Sequence, residues 1–294
     1  MISAFCFSYN VIEQQFPFVE SLKSWLAVVD EMIVVDGGST DGSVEAIRNI
    51  DSNIKVIEDT KWPKNHTYYD FGKMFDRGYQ ECKGNIAFKI DLDYITNSLC
   101  KEMFRTECKM MLEKNIMIIF SSRYNFILID RYFEKSGKTF GLNKKAIKEA
   151  GLNVVWGFDK NKEGLCEDAI IYKDSVDGIN FGDTFSDSCR GKFTNLPIFN
   201  YSYVFADKKV AKRRWHQNQN SWRKSFQYVD KRRMSDDWKQ YVLMNKGYLD
   251  RKQFLIDIRR HPIEIQDKIL NLKSTQQGYN FWGLCDTSNY YAKI

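Results

Sequence analysis

Five carboxylates hold positions from which they could do chemistry: Asp36, Asp91, Asp93, Glu167 and Asp168. Asp91 and Asp93 form an Asp-x-Asp directly after a short apolar run, and residues at i and i+2 leave a strand end on the same side. Two hard oxygen donors so placed suit a Mg²⁺ or Mn²⁺ shared with substrate phosphates. Glu167-Asp168 precede the apolar run Ala169-Ile170-Ile171-Tyr172, and a carboxylate there could serve as a general base. Each of these acids, taken singly, also reads as a solvated strand end or a helix cap. The most specific stretch is Asp36-Gly37-Gly38-Ser39-Thr40-Asp41-Gly42-Ser43. Its glycines allow a tight turn close to a ligand, and Ser39, Thr40 or Asp41 can cap the next helix with its amides facing a cleft. It has neither the lysine of a phosphate-binding P-loop nor the spacing of a dinucleotide fingerprint, which disfavours kinase and dehydrogenase chemistry.

The elements that must position these groups follow from periodicity. Ile2 to Ser8 alternates like a strand, and apolar residues from Phe18 to Leu26 recur at helical spacing after Pro17. Met32 to Val35 predicts a second strand, Val44 to Ile50 a helix, Ile54 to Ile57 a third strand, Asp70 to Cys82 a helix and Ile86 to Ile90 a fourth strand. This βαβαβαβ order predicts a mainly parallel sheet covered by helices on both faces, with ligands beyond the carboxyl ends of its strands. Further on, the pattern predicts a helix over Ser98 to Glu113, a strand at Met117 to Phe120, a separate apolar run at Phe126 to Ile129, and a short helix capped by Asn143 and stopped by Gly151. Val154 to Phe205 reads as loops around short elements, and Asp207 to Lys273 as largely helical.

Of the 294 residues, 43% are hydrophobic and 28% charged, enough apolar material for one large core or two modest ones. No run approaches the length of a membrane span and the first residues do not resemble a signal peptide, so a cytoplasmic location is expected. Seven cysteines with no Cys-x-x-Cys pair argue against a disulfide framework or a zinc cluster. The net charge of +6 is unevenly placed: residues 207–233 hold ten basic and two acidic side chains, while residues 1–206 are net acidic. That contrast divides the chain into a body, 1–206, and a basic helical region, 207–294.

The motifs in their order resemble the family 2 glycosyltransferases, nucleotide-sugar enzymes of the GT-A fold. Phe7-Ser8-Tyr9-Asn10 with Glu13 looks like the family's opening strand and turn, MIVVDGGSTDGS like its second strand and loop, FKIDLD like its metal-binding Asp-x-Asp, and Cys166-Glu167-Asp168 like its base-bearing pair. The resemblance covers about the first 170 residues. It implies that Asp36 bonds the nucleotide base in a pocket lined by Ser8, Tyr9, Asn10, Glu13 and Ser39, and that Lys73 and Arg77 reach donor phosphates or the preceding loop. Asp93, helped by Asp91, would hold Mn²⁺ or Mg²⁺, with His216 as a further ligand. Asp168 would take the proton of an acceptor hydroxyl in an inverting transfer, with Glu167 orienting the acceptor. Gly37 and Tyr94 stand where family members often carry acids.

Trp215, Trp222, Phe226 and Val229 recur at helical spacing among basic residues. Such a helix can pack its aromatic stripe on the body, follow a nucleic-acid backbone, or lie on an anionic membrane. The acceptor readings that follow are hydroxymethylated DNA of the phage type, with Arg213 and Arg214 among the phosphate contacts, or a lipid-linked or cell-envelope glycan. A non-catalytic nucleic-acid or membrane-binding module on the same fold is the reading from another class.

Overall fold

Alternation along the first strands decides the layering of the molecule. The computed structural model describes residues 1–59, 68–156, 169–173, 191–202, 204–207, 209–211, 213–214, 216–217 and 254–275. It begins with β1 (Ile2–Ser8), α1 (Phe18–Leu26), β2 (Glu31–Asp36), α2 (Ser43–Arg48), β3 (Ile54–Glu58), α3 (Tyr68–Glu81) and β4 (Ile86–Lys89). Ile2, Ala4 and Cys6 of β1 and Met32 and Val34 of β2 enter one core, while Phe5, Ile33 and Val35 enter the other. This is the period of two that a strand buried on both faces requires.

The chain continues with β5 (Tyr94–Ile95), a 3-10 turn at Ser98–Cys100, α4 (Lys101–Glu113), β6 (Ile118–Leu128), β7 (Arg131–Asn143) and α5 (Lys144–Glu149). Then come β8 (Leu152–Trp156), β9 (Ala169–Lys173), β10 (Gly191–Asn200), β11 (Phe254–Leu255), a 3-10 turn at Ile258–Arg260 and α6 (Ile263–Thr275). Residues of α1, α2 and α4 close the first core around Trp25, whose ring meets Phe104 edge-on at 5.5 Å and lies 5.5 Å from Phe140. Residues of α3 and α5 close the second, where Phe5 meets Trp156 edge-on at 5.2 Å. The Asn143 side chain accepts from the Ala146 amide at the start of α5, and Gly151 ends that region at φ +66°, as its position predicts.

One nine-stranded sheet runs β3-β2-β1-β4-β7-β6-β10-β5, with β11 added against β7, and β8 and β9 form a separate pair. The expectation of a mainly parallel sheet is corrected here. β3, β2, β1 and β4 are parallel, but β7 enters antiparallel to both β4 and β6, and β5 antiparallel to β10. Phe126 to Ile129 is no separate run: β6 passes through Leu128 and turns directly into β7. β7, RYFEKSGKTFGLN, mixes charges and glycines with apolar residues, and its pairing with β6 shifts register three times, which removes a clean alternation. β8 begins just before, and β9 and β10 lie within, the stretch read as loops around short elements, and β10 at ten residues is longer than that reading allows.

The expected helical character of the C-terminal region is observed only in part. Residues 209–211, 213–214 and 216–217 are helical and α6 is a helix, but Phe254–Leu255 is a strand. Trp215, Trp222, Phe226 and Val229 lie outside the described residues. A third core joins Ile265 and Ile269 of α6 to Ile95, Phe126, Phe199 and Tyr201, and Lys268 pairs with Glu20 of α1 at 3.1 Å.

Candidate functional site

The carboxyl ends of β1 and β2 are tied into one polar knot. Ser8 and Asp36 are register partners on neighbouring strands, and both are buried. The Asp36 carboxylate accepts four hydrogen bonds. Oδ1 takes the amides of Gly38 at 2.9 Å and Ser39 at 2.7 Å, and Oδ2 takes the hydroxyls of Ser8 and Ser39, each at 2.6 Å. The Ser39 hydroxyl in turn accepts from the Asn10 amide at 2.8 Å, and Asn10 Oδ1 accepts from the Thr40 amide at 2.8 Å. Asp41 accepts from the amides of Glu13 and Ser43. Asn10 at φ 47° and Gly38 and Gly42 at φ 84° and 86° make these left-handed turns, and Gly42 immediately precedes α2. Four donors fill the lone pairs of Asp36, so the structure uses it to shape the loop. Tyr9, Asn10 and Ser39 are half-buried around it, and Glu13 is exposed.

The turn after β4 holds the second group. Lys89 Nζ lies 2.6 Å from Asp91 Oδ1 and 4.4 Å from the centre of the Phe75 ring, with the lysine side chain only 4% exposed. The hydroxyl of Ser202 donates to Asp93 Oδ2 at 2.5 Å, and the Tyr201 amide donates to the Asp93 carbonyl. Burial and the neighbouring Asp91 charge push the Asp93 carboxyl above its ordinary range, against the Ser202 hydrogen bond and the charges of Arg214 and Lys89. Tyr94 follows, its hydroxyl bonded by the buried Arg123 guanidinium and its carbonyl accepting from Ser21 Oγ and Trp25 Nε1 of α1. Burial drives the Tyr94 phenol well above its usual value. The turn is therefore clamped from α1, β6 and the residues after β10.

Arg213 and Arg214 are turned inward, onto the loop after β1. Arg213 pairs with Glu13 at 2.8 Å, and Arg214 donates to the Ser202 carbonyl at 2.6 Å with its guanidinium 3.8 Å from the centre of the Phe16 ring. Gln14 and Gln15 of the same loop bond Gln217 and Asp207. Arg214 thus links the β1 loop to Ser202, which holds Asp93. Lys73 and Arg77 lie on the exposed side of α3, paired with Asp70 and Glu81, and join neither network among the described residues. Glu167 and Asp168 lie outside the described residues, immediately before β9.

The described residues do not by themselves assemble a site for Mn²⁺ or Mg²⁺. Among the described residues, no group of three or more His, Cys, Asp or Glu stands close enough to hold a metal. Asp91 carries a lysine, Asp93 a hydroxyl, and His216 is exposed, with helical backbone at 216–217. The expected metal-binding Asp-x-Asp with His216 is corrected on these grounds. Sequence reasoning missed Lys89, Arg123 and Ser202. Lys89 was visible as the residue two before Asp91 on an alternating strand, whereas nothing near Ser202 marks it.

No protein-family model and no curated protein sequence matches the chain. Among solved structures, S. aureus TarS is similar over 99% of this chain at 12% identity and a TM-score of 0.45, and the chain spans 55% of that protein's length. The mannosyltransferase PcManGT from Pyrobaculum calidifontis, in complex with GDP-Man and Mn²⁺, is similar over 99% of this chain and 74% of its own at 11% identity and a TM-score of 0.45. Glucosyl-3-phosphoglycerate synthase from Mycobacterium tuberculosis, with Mn²⁺, UDP and glucosyl-3-phosphoglycerate, aligns over 41% of this chain and 43% of its own at 26% identity and a TM-score of 0.29. The expectation of family 2 membership with a mainly parallel GT-A sheet is withdrawn: no family model matches, and the sheet is mixed where a mainly parallel one was expected.

Proposed function

We propose that the chain is a glycosyltransferase that moves a sugar from a nucleotide-sugar donor to an acceptor hydroxyl. The observation that carries this reading is the pairing of two preorganised turns at the carboxyl ends of neighbouring parallel strands, the Asp36 knot and the Asp91–Tyr94 turn. Ligands of such sheets bind at that edge. The nucleoside lies against Tyr9, Asn10, Glu13 and Ser39, whose positions Asp36 and Ser8 set from beneath. Asp168 takes the proton as the acceptor oxygen bonds to the anomeric carbon. The bond from that carbon to the diphosphate breaks with its electron pair going to the leaving group, and the configuration inverts. Glu167 orients the acceptor.

The acceptor is a lipid-linked or cell-envelope glycan rather than DNA. Arg213 and Arg214, the first arginines of the basic segment, are taken up by Glu13, Ser202 and Phe16, which removes them from a phosphate-binding surface. No helix among the described residues is long and apolar enough to cross a membrane.

The test is thermal stabilisation by a panel of nucleoside diphosphates and nucleotide sugars, since a ligand that binds only the folded chain raises its stability. One base should raise the melting temperature above all others, and Asp168→Asn should keep that shift while losing sugar transfer. No shift with any nucleotide sinks the enzyme reading and leaves a binding module.

A further inference from the structure

We propose, resting on the donor site above, that the Lys89 ammonium holds the place of a divalent cation, so that a nucleoside diphosphate binds at the Asp91–Tyr94 turn without Mn²⁺ or Mg²⁺. Lys89 ends β4 on the side that packs on α3, and Asp91, two residues on in the turn, meets it there. Their ion pair is short, and Lys89 is enclosed by Phe75, with the Tyr94 ring centre 5.9 Å away. A buried ammonium is tolerated only with its counter-charge in place, so removing Asp91 from Lys89 to ligate a metal would strand the lysine.

A metal on Asp91 would also need an oxygen within about 2.0–2.6 Å, at the very carboxylate where an ammonium already sits. Asp93 has one oxygen engaged by Ser202, so by itself it offers a metal little more than its other oxygen. The charge balance points the same way. Lys89, Arg123 and Arg214 are all buried near this turn against two carboxylates, so its described residues are net positive before any ion arrives. A diphosphate is attracted by that field, whereas a divalent cation is repelled by it.

The experiment uses the full chain and two readouts besides transfer. Titration with Mn²⁺, followed by the electron paramagnetic resonance of the free ion, should show no stoichiometric binding to the wild type. The affinity for the stabilising nucleoside diphosphate should agree within about twofold between EDTA and Mn²⁺. Lys89→Met, which keeps the apolar stem over Phe75 and takes the ammonium away from Asp91, should gain one Mn²⁺ per chain, and adding Asp91→Asn should abolish that gain. If Lys89→Met does not fold, Lys89→Gln carries the same comparison. One Mn²⁺ bound by the wild type and lost in Asp93→Asn overturns the proposal, and so does the absence of Mn²⁺ binding in both the wild type and the Lys89 variant. If no nucleotide stabilises the chain under either condition, the proposed function fails, while the Mn²⁺ titrations still decide the role of Lys89.

Discussion

Replacing Asp36 by Ala tests whether the knot at the tips of β1 and β2 is built around that carboxylate. The substitution deletes four acceptor contacts: two amides at 2.7 and 2.9 Å and two hydroxyls at 2.6 Å. Hydrogen bonds to a charged group contribute roughly 1.5–3 kcal/mol each, but the half-buried Gly38 and Ser39 can recover part of that from water. The Ser8 hydroxyl, 1% exposed, cannot. Counting Ser8 in full and the others at a fraction gives a loss of about 3–5 kcal/mol, a large share of a typical domain's stability. Urea unfolding of Asp36→Ala, Ser8→Ala and the double variant measures it. Ser8→Ala alone should cost about 1 kcal/mol, and in the Asp36→Ala background it should be neutral or stabilising, since it then removes an orphaned buried hydroxyl. A loss under about 1 kcal/mol in Asp36→Ala, or strictly additive effects, would refute a knot centred on Asp36.

Other consequences concern the second half of the chain. Arg214→Ala should lower stability by about 2–3 kcal/mol, because it leaves the Ser202 carbonyl unpaired and uncovers Phe16, whereas Arg213→Ala, at a half-exposed pair, should stay within about 1 kcal/mol; urea midpoints separate the two. Neither change should alter the salt dependence of any DNA binding, measured by fluorescence anisotropy. His261 is buried beside the Tyr201 hydroxyl at 2.7 Å, and burial pushes its imidazole down to about 4, against a smaller upward pull from the Ile129 carbonyl and Asp257. A depressed histidine is neutral in the folded chain. Its contribution is therefore complete above the unfolded value near 6.5 and is lost as pH falls toward 4, by about 3 kcal/mol at the acid limit. Melting temperature against pH should fall across that window in the wild type and less steeply in His261→Gln.

What was legible in the residues follows the range of the interactions involved. The elements from β1 to β4 announce themselves because each parallel strand and its crossover helix carry a local period, and the four strands are predicted to within a residue or so. The Asp36 loop is legible for the same reason: its glycines, serines and aspartates act on backbone two or three residues away. β7, set between two antiparallel neighbours, and β10, parallel to β6 and antiparallel to β5, are not legible, since a strand whose pairing is broken by register shifts needs no regular apolar pattern of its own. The site divides along the same line. Lys89 and Asp91 meet because a strand's period is two, which any reader of FKIDLD can see, while Ser202 reaches Asp93 across 109 positions and only because β10 pairs with β5.

The same division bears on the Asp-x-Asp. An aspartate pair at a strand end predicts a cation site when its surroundings supply no positive charge of their own. Here one competing charge was local, in Lys89, and two were remote, in Arg123 and Arg214, brought in by β6 and by the helical residues after β10. A motif states which ligand atoms are available, but the net charge of the fold around them decides whether they receive a metal or a lysine. If Lys89→Met alone turns this turn into a Mn²⁺ site, then a single side chain two residues upstream sets the cofactor requirement of the motif.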